Sequence, residues 1–218
     1  AFAVLKADGS IKAWGDSYDG GSNAPAGSDY TKIYSTYNSF AALKADGSIK
    51  AWGHPDHGGS NAPTGTGYTK IYSTSYSFAA LKADGSITAW GDSDFGGSNA
   101  PTGTGYTKIY STRYAFAALK ADGSITAWGD SYDGGSNAPT GTGYTKIYST
   151  GGAFAALKAD GSITAWGDSD FGGSNAPTGT GYTKIYSNAL AFAALKADGS
   201  ITAWGDSDYG GSNAPTGT

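Results

Sequence analysis

Cysteine, methionine, glutamate and glutamine are all absent from this 218-residue chain, and arginine occurs once, at Arg113. Without cysteine there are no disulfides and no thiolate metal sites, which suits either a reducing compartment or a bacterial exterior. Met, Glu and Gln are strong helix formers, whereas the abundant Gly, Thr, Tyr and Ser favour strands and turns. The composition is therefore that of an all-β protein. All 18 acidic residues are Asp, and the net charge is −4, a balance that argues against nucleic acid and anionic membrane as partners. No apolar run approaches the roughly 18 residues a membrane helix needs, so membrane insertion is not expected.

What the chain does contain is repetition. FAALKADGSITAWG occurs at 78–91, 116–129, 154–167 and 192–205, with looser copies at 2–15 and 40–53. Trp14, Trp52, Trp90, Trp128, Trp166 and Trp204 each follow the last by 38 residues. A strict period of this size marks a solenoid, a propeller or an array. With no linker between copies, the chain reads as one domain over 1–218, in units 1–28, 29–66, 67–104, 105–142, 143–180 and 181–218. Six FAALKADG-type stretches stand against five YTKIYS stretches, so the last of the six repeats is expected to be incomplete at Thr218. The deficit implies a longer array, a ring closed as it stands, or a strand donated by another molecule.

Each unit predicts three strands, such as 106–112 (YTKIYST), 115–121 (AFAALKA) and 124–129 (SITAWG). Asp122-Gly123 between the last two suggests a two-residue type I′ hairpin. The following 130–143 stretch, rich in Gly, Pro, Asn and Ser, reads as an irregular connection. Three short strands per 38 residues with no helix fit a small propeller blade. One such sheet cannot cover both its faces, but stacked copies bury one another. Ala117, Ala118 and Ala127 then mark close approach of neighbouring sheets, and the six tryptophans are structural fillers.

The string TKIYSTRYAFAALKADGSITAWGDSYDGG (107–135) resembles the repeat of the regulator of chromosome condensation family. Its short spacing and N-A-P connection are most similar to the compact bacterial members with three-stranded blades, which include a propeller that inhibits β-lactamases. The resemblance implies a β-propeller. The family's usual Gly is replaced by Thr36, Thr74, Thr112, Thr150 or Asn188. Its usual His is replaced by Ser39, Ser77, Ala115, Ala153 or Ala191. The founding member's nucleotide-exchange activity is not carried over.

Catalysis needs an asymmetric set of tuned groups, and these near-identical copies do not supply one. A Ser-His-Asp site would have to use His54 or His57, which belong to no nucleophile motif. No enzyme activity and no cofactor are expected. The segment His54-Pro55-Asp56-His57 is a weak metal candidate, outweighed by drift in one turn with His57 replacing an aromatic. Asp92-Ser93-Asp94, Asp168-Ser169-Asp170 and Asp206-Ser207-Asp208 offer too few oxygens for calcium and read as turns in which Asp caps backbone amides.

The copies differ mainly in the dipeptide joining the first two strands: Tyr37-Asn38, Ser75-Tyr76, Arg113-Tyr114, Gly151-Gly152 and Ala189-Leu190. Equivalent turns in a propeller share one rim, so Tyr37, Asn38, Tyr76, Arg113, Tyr114 and Leu190 form the expected partner-binding set. A second varying position is the aromatic after each Trp: Tyr18, His57, Phe95, Tyr132, Phe171 and Tyr209. The expected function is a non-catalytic bacterial scaffold, secreted or on the cell surface, that binds a protein or glycan through this rim. The alternative is a purely structural stalk, coat or fibre segment that self-associates or continues into further repeats.

Overall fold

The computed structural model of the chain describes residues 1–216. Gly217 and Thr218, which close the expected 181–218 unit, lie outside the described residues. Two compact units make up the chain, Ala1–Tyr106 and Thr107–Thr218. The first opens with a two-stranded sheet, β1 (Phe2–Leu5) and β2 (Ile11–Trp14). Two three-stranded sheets follow: β3 (Tyr30–Ser35), β4 (Ser39–Lys44) and β5 (Ile49–Gly53), then β6 (Tyr68–Ser73), β7 (Ser77–Lys82) and β8 (Ile87–Gly91). The second unit has three three-stranded sheets: β9 (Tyr106–Ser111), β10 (Ala115–Lys120) and β11 (Ile125–Gly129); β12 (Tyr144–Ser149), β13 (Ala153–Lys158) and β14 (Ile163–Gly167); β15 (Tyr182–Ser187), β16 (Ala191–Lys196) and β17 (Ile201–Gly205).

In each three-stranded sheet the AFAALK-type strand lies in the middle, with antiparallel pairs such as Tyr148↔Ala155 and Phe154↔Trp166. Each YTKIYS strand thus serves the hairpin that follows it. The short sheet is accordingly the first along the chain, and the last is complete. The connections expected to be irregular contain one helical turn of three to five residues, for example Ser131–Gly135.

The hairpin differs from expectation. Gly123 has φ +81 but Asp122 does not have positive φ, so the turn is not type I′. Instead Gly123 N–H donates to Lys120 O at 3.0 Å, and Lys120 N–H donates to Ser124 O at 3.0 Å. This is a three-residue loop with glycine in the left-handed bulge position. The cause is local: Asp122 Oδ1 accepts from Ser124 N at 2.8 Å and Ser124 Oγ at 2.7 Å, which holds Asp122 in an Asx turn. Gly123 also has a tertiary reason. A Cβ there would lie 2.5 Å from Tyr144 N, because the hairpin tip is bonded to the start of β12, with Tyr144 N donating to Gly123 O at 3.2 Å.

The middle strands β4, β7, β10 and β13 are buried along all but their last residue. Ala153 to Leu157 are all buried, which is why β13 reads as a continuous apolar run. Ala153, Ala155 and Leu157 meet Ile185, Phe192 and Trp204 of the following sheet, and small residues on one side make room for the large ones on the other. The same junction occurs between β12–β14 and the sheet before it, and twice in the first unit. Burying a side chain such as Phe154 stabilises by about 1.5–3 kcal/mol.

Trp166 stacks on Phe154 at 5.2 Å and 27°, and its Nε1 donates to the Gly134 carbonyl, 32 residues earlier, at 3.0 Å. Trp52, Trp90 and Trp204 bond in the same way to Gly20, Gly58 and Gly172, each at 3.0 Å. These four and Trp128 are 3–4% exposed, but Trp14 is 53% exposed. Trp14 departs from the expected filler role because no sheet precedes β1 among the described residues.

Candidate functional site

The varying dipeptides form tight turns. Thr74 N donates to Ser77 O and Thr112 N to Ala115 O, both at 2.9 Å. Within each unit a second set of bonds links one turn to the next: Tyr37 N to Ser75 O at 3.0 Å in the first, and Arg113 N to Gly151 O at 2.9 Å and Gly151 N to Ala189 O at 2.8 Å in the second. The threonine or asparagine ahead of each varying dipeptide has a role here. Thr74 Oγ1 donates to Phe95 O at 3.1 Å, Thr150 Oγ1 to Phe171 O at 2.9 Å, and Asn188 Nδ2 to Tyr209 O at 2.7 Å. Each bond ties the varying dipeptide to the other varying position, 21 residues on. The two kinds of variation belong to one surface.

In the first unit that surface is a row of aromatic and amide side chains. Tyr37 meets Tyr76 edge-on at 5.7 Å, and Tyr76 contacts Phe95 at 5.3 Å and His57 at 4.6 Å. His57 stacks on His54 at 3.9 Å and 10°, and Tyr18 closes the row against His54 at 4.5 Å. Asn38 joins it to an acid, with Nδ2 donating to Asp19 Oδ1 at 2.9 Å and Oδ1 lying 3.0 Å from His57 Nδ1. Burial, then the charge His54 would carry, hold the His57 pKa below its ordinary value. Tyr37 and Tyr18 remain 65% and 62% exposed.

Asp19 is a residue that sequence reasoning missed. Grouping each unit's aromatic as one position hid a shift of register: Tyr18 and Tyr132 follow the Trp by four residues, but His57, Phe95, Phe171 and Tyr209 by five. The fifth position is the one that packs against the varying dipeptides, through Asp19, His57, Phe95, Asp133 and Phe171, and in the last copy it is held by Tyr209. The change from S-D-F-G-G to S-Y-D-G-G was the available signal. It places a carboxylate where other copies place a ring.

In the second unit, the Arg113 guanidinium lies 5.8 Å from the Tyr114 ring centroid. Asp133 Oδ1 and the Phe171 ring lie against the Gly151-Gly152 turn. Burial, followed by the charges of Asp130 and Asp168, pushes the Asp133 pKa up to about 6, opposed by Arg113. Leu190 is half-buried, and its N–H donates to Asn188 Oδ1 at 2.8 Å.

His54 and His57 do not converge on a common point. His54 Nδ1 accepts from Asp56 N at 3.2 Å, His57 Nδ1 faces Asn38, and the stacking keeps their in-plane lone pairs in near-parallel planes. Among the described residues no group of three or more His, Cys, Asp or Glu side chains is placed to hold a metal. The acids of the D-S-D turns serve as caps: Asp92, Asp168 and Asp206 Oδ1 accept from the amides two residues on at 3.0, 2.9 and 2.9 Å.

No family profile matches the chain, and no curated protein matches it. Its fold is nonetheless shared with solved structures. The ectodomain of the Physcomitrella patens receptor kinase CR4 superposes with a TM-score of 0.57 at 21% identity, over 84% of this chain and 52% of that one. The CRINKLY WD40 ectodomain of the Arabidopsis thaliana receptor kinase ACR4 gives 0.56 at 19% identity, over 81% and 63%. Prp20p from Saccharomyces cerevisiae gives 0.54 at 15% identity, over 81% and 57%. The chain therefore spans between about half and two thirds of these structures. The likeness shows the fold: an all-β propeller type built of 38-residue, three-stranded blades.

Proposed function

We propose that residues 1–218 act as one non-catalytic repeat scaffold of the compact bacterial three-stranded-blade type. It is secreted or held at the cell surface, and binds a protein or glycan through the rim that carries Tyr37, Asn38, Tyr76, Arg113, Tyr114 and Leu190. The observation that carries this reading is the continuous row from Tyr18 through His54, His57 and Tyr76 to Tyr37. It gathers variable side chains of the first unit on a nearly invariant frame. Exposed Tyr and Arg on a rigid support are efficient contact residues, since Tyr offers a large area with few rotatable bonds and Arg a planar fork of hydrogen-bond donors. Two structures that share the fold are receptor-kinase ectodomains. A third is described together with its binding to Gsp1p and histones, a use of this fold in protein recognition.

The test is binding of the intact chain to a glycan array and to a panel of secreted bacterial proteins. A Tyr37→Ala/Tyr76→Ala/Arg113→Ala/Tyr114→Ala variant is expected to lose its hits while keeping its β-sheet circular dichroism. Hits that survive all four changes would remove the rim from consideration.

A further inference from the structure

We propose that two copies of this chain associate head to tail, the leading face of β1–β2 in one copy covering the trailing face of β15–β17 in the other. Inside each unit, consecutive sheets join through one recurring pair of surfaces. The leading surface supplies Phe, a small residue and Trp, together with the Tyr and Ile of the YTKIYS strand. The trailing surface supplies Tyr, two alanines and the glycine carbonyl that receives the Trp Nε1.

One surface of each kind is left over. Phe2, Val4 and Trp14 are 66%, 44% and 53% exposed, whereas their equivalents Phe78, Ala80 and Trp90 are 0%, 0% and 4% exposed. At the other end Tyr186 is 50% exposed and borders a cavity of about 250 Å³ that Ala191, Ala193 and Gly210 also line. Ala191 and Ala193 correspond to Ala153 and Ala155, which bury against the following sheet. Gly210 corresponds to Gly172, the acceptor for Trp204, and no atom lies within 4 Å of where a Cβ would project from it. Clustered aromatic exposure of this kind marks an interaction surface.

The occupant is a second copy because Phe2, Val4 and Trp14 on one face, and Tyr186, Ala191, Ala193 and Gly210 on the other, are the counterparts of residues that meet at the junctions within each unit; β1–β2 lacks only the Tyr and Ile of the strand that precedes the hairpin in the other sheets. Their union would continue a junction that the chain makes twice within each unit. The two faces differ, so the contact is heterologous and either closes into a ring or extends. It does not depend on the rim.

Sedimentation velocity over a wide concentration range tests this. Trp14→Asp spoils the leading face and Tyr186→Asp the trailing face. Both side chains are solvent-exposed, and thermal melts by circular dichroism verify that each variant folds. The unmodified chain is expected to self-associate, and each variant alone to associate at least about tenfold more weakly. An equimolar mixture is expected to form a heterodimer and nothing larger, because only one intact pair of faces remains. An unmodified chain that stays monomeric, as it would if other residues or another protein cover these faces, overturns the proposal. So does undiminished association of both variants, or a mixture without heterodimer. Should either variant unfold, Phe2→Ser and Ile201→Ser test the same faces with the same outcomes.

Discussion

Replacing Gly134 by alanine separates the packing of adjacent sheets from the backbone preference of their turns. Gly134 has φ +96, and an added Cβ would sit 2.7 Å from Phe154 Cδ2 and 3.1 Å from Cε2. Phe154 is wholly buried and stacked on Trp166, so its ring has nowhere to move. Gly141, in the same unit, has φ +94 with nothing within 4 Å of its Cβ position. Both substitutions share the cost of a left-handed L-residue, about 1–2 kcal/mol, and the same gain from a stiffer unfolded chain. Only Gly134→Ala adds overpacking, about 1–3 kcal/mol. It also disturbs the Trp166 Nε1 bond to the Gly134 carbonyl, worth about 0.5–1.5 kcal/mol. Gly134→Ala is therefore expected to destabilise by about 2–4 kcal/mol more than Gly141→Ala in urea unfolding with unchanged m-value. Two variants that agree within about 0.5 kcal/mol would refute the claim that this glycine is required by the ring behind it.

Acid titration should reveal Asp133. Its folded pKa of about 6 lies above the unfolded value, so the native state binds more protons between about pH 4 and 6. Stability of the second unit is expected to rise as pH falls through that window, and Asp133→Asn to flatten the rise; a wild-type profile that falls there contradicts the burial argument. The hairpin acids Asp8, Asp46, Asp84, Asp122, Asp160 and Asp198 have pKa values lowered chiefly by bonds from the serine two residues on. Their contribution is present above the unfolded carboxylate pKa and is lost below it, so Asp122→Asn should alter stability above that range and lose its effect in stronger acid. The open edge of β1 corresponds to the edge that YTKIYS strands occupy in the other sheets. A GYTKIYST peptide is therefore expected to raise the melting temperature in a concentration-dependent way; no shift at high peptide excess counts against pairing at that edge.

Much of the architecture was legible because its determinants are local. The spacing of Trp14 to Trp204 defined the unit, apolar runs defined the strands, and the D-S-D turns were recognisable as caps. The varying dipeptides were legible as the turns that join the first two strands of each three-stranded sheet. The hairpin type was misread, since the Asp122 carboxylate can bond to Ser124 as readily as Asp-Gly can adopt a type I′ turn, and the letters do not rank the two. Asp19 was missed because a one-residue shift between Tyr18 and Phe95 changes which side chain faces the rim, and equal composition conceals it.

A period of 38 residues establishes that equivalent positions recur, but not which positions of neighbouring copies touch. The bond from Trp166 to Gly134 and the contact of His57 with Tyr76 arise from the distance and angle between sheets, which no single repeat encodes. The same limit applies to the ends. Trp14 and Trp90 sit in nearly identical strings, yet one is in solvent and the other buried, because burial depends on having a neighbour. By itself the sequence determined the repeating blade and its turns. Only the tertiary structure decided which copies are covered, which faces are left open, and which variable side chains meet.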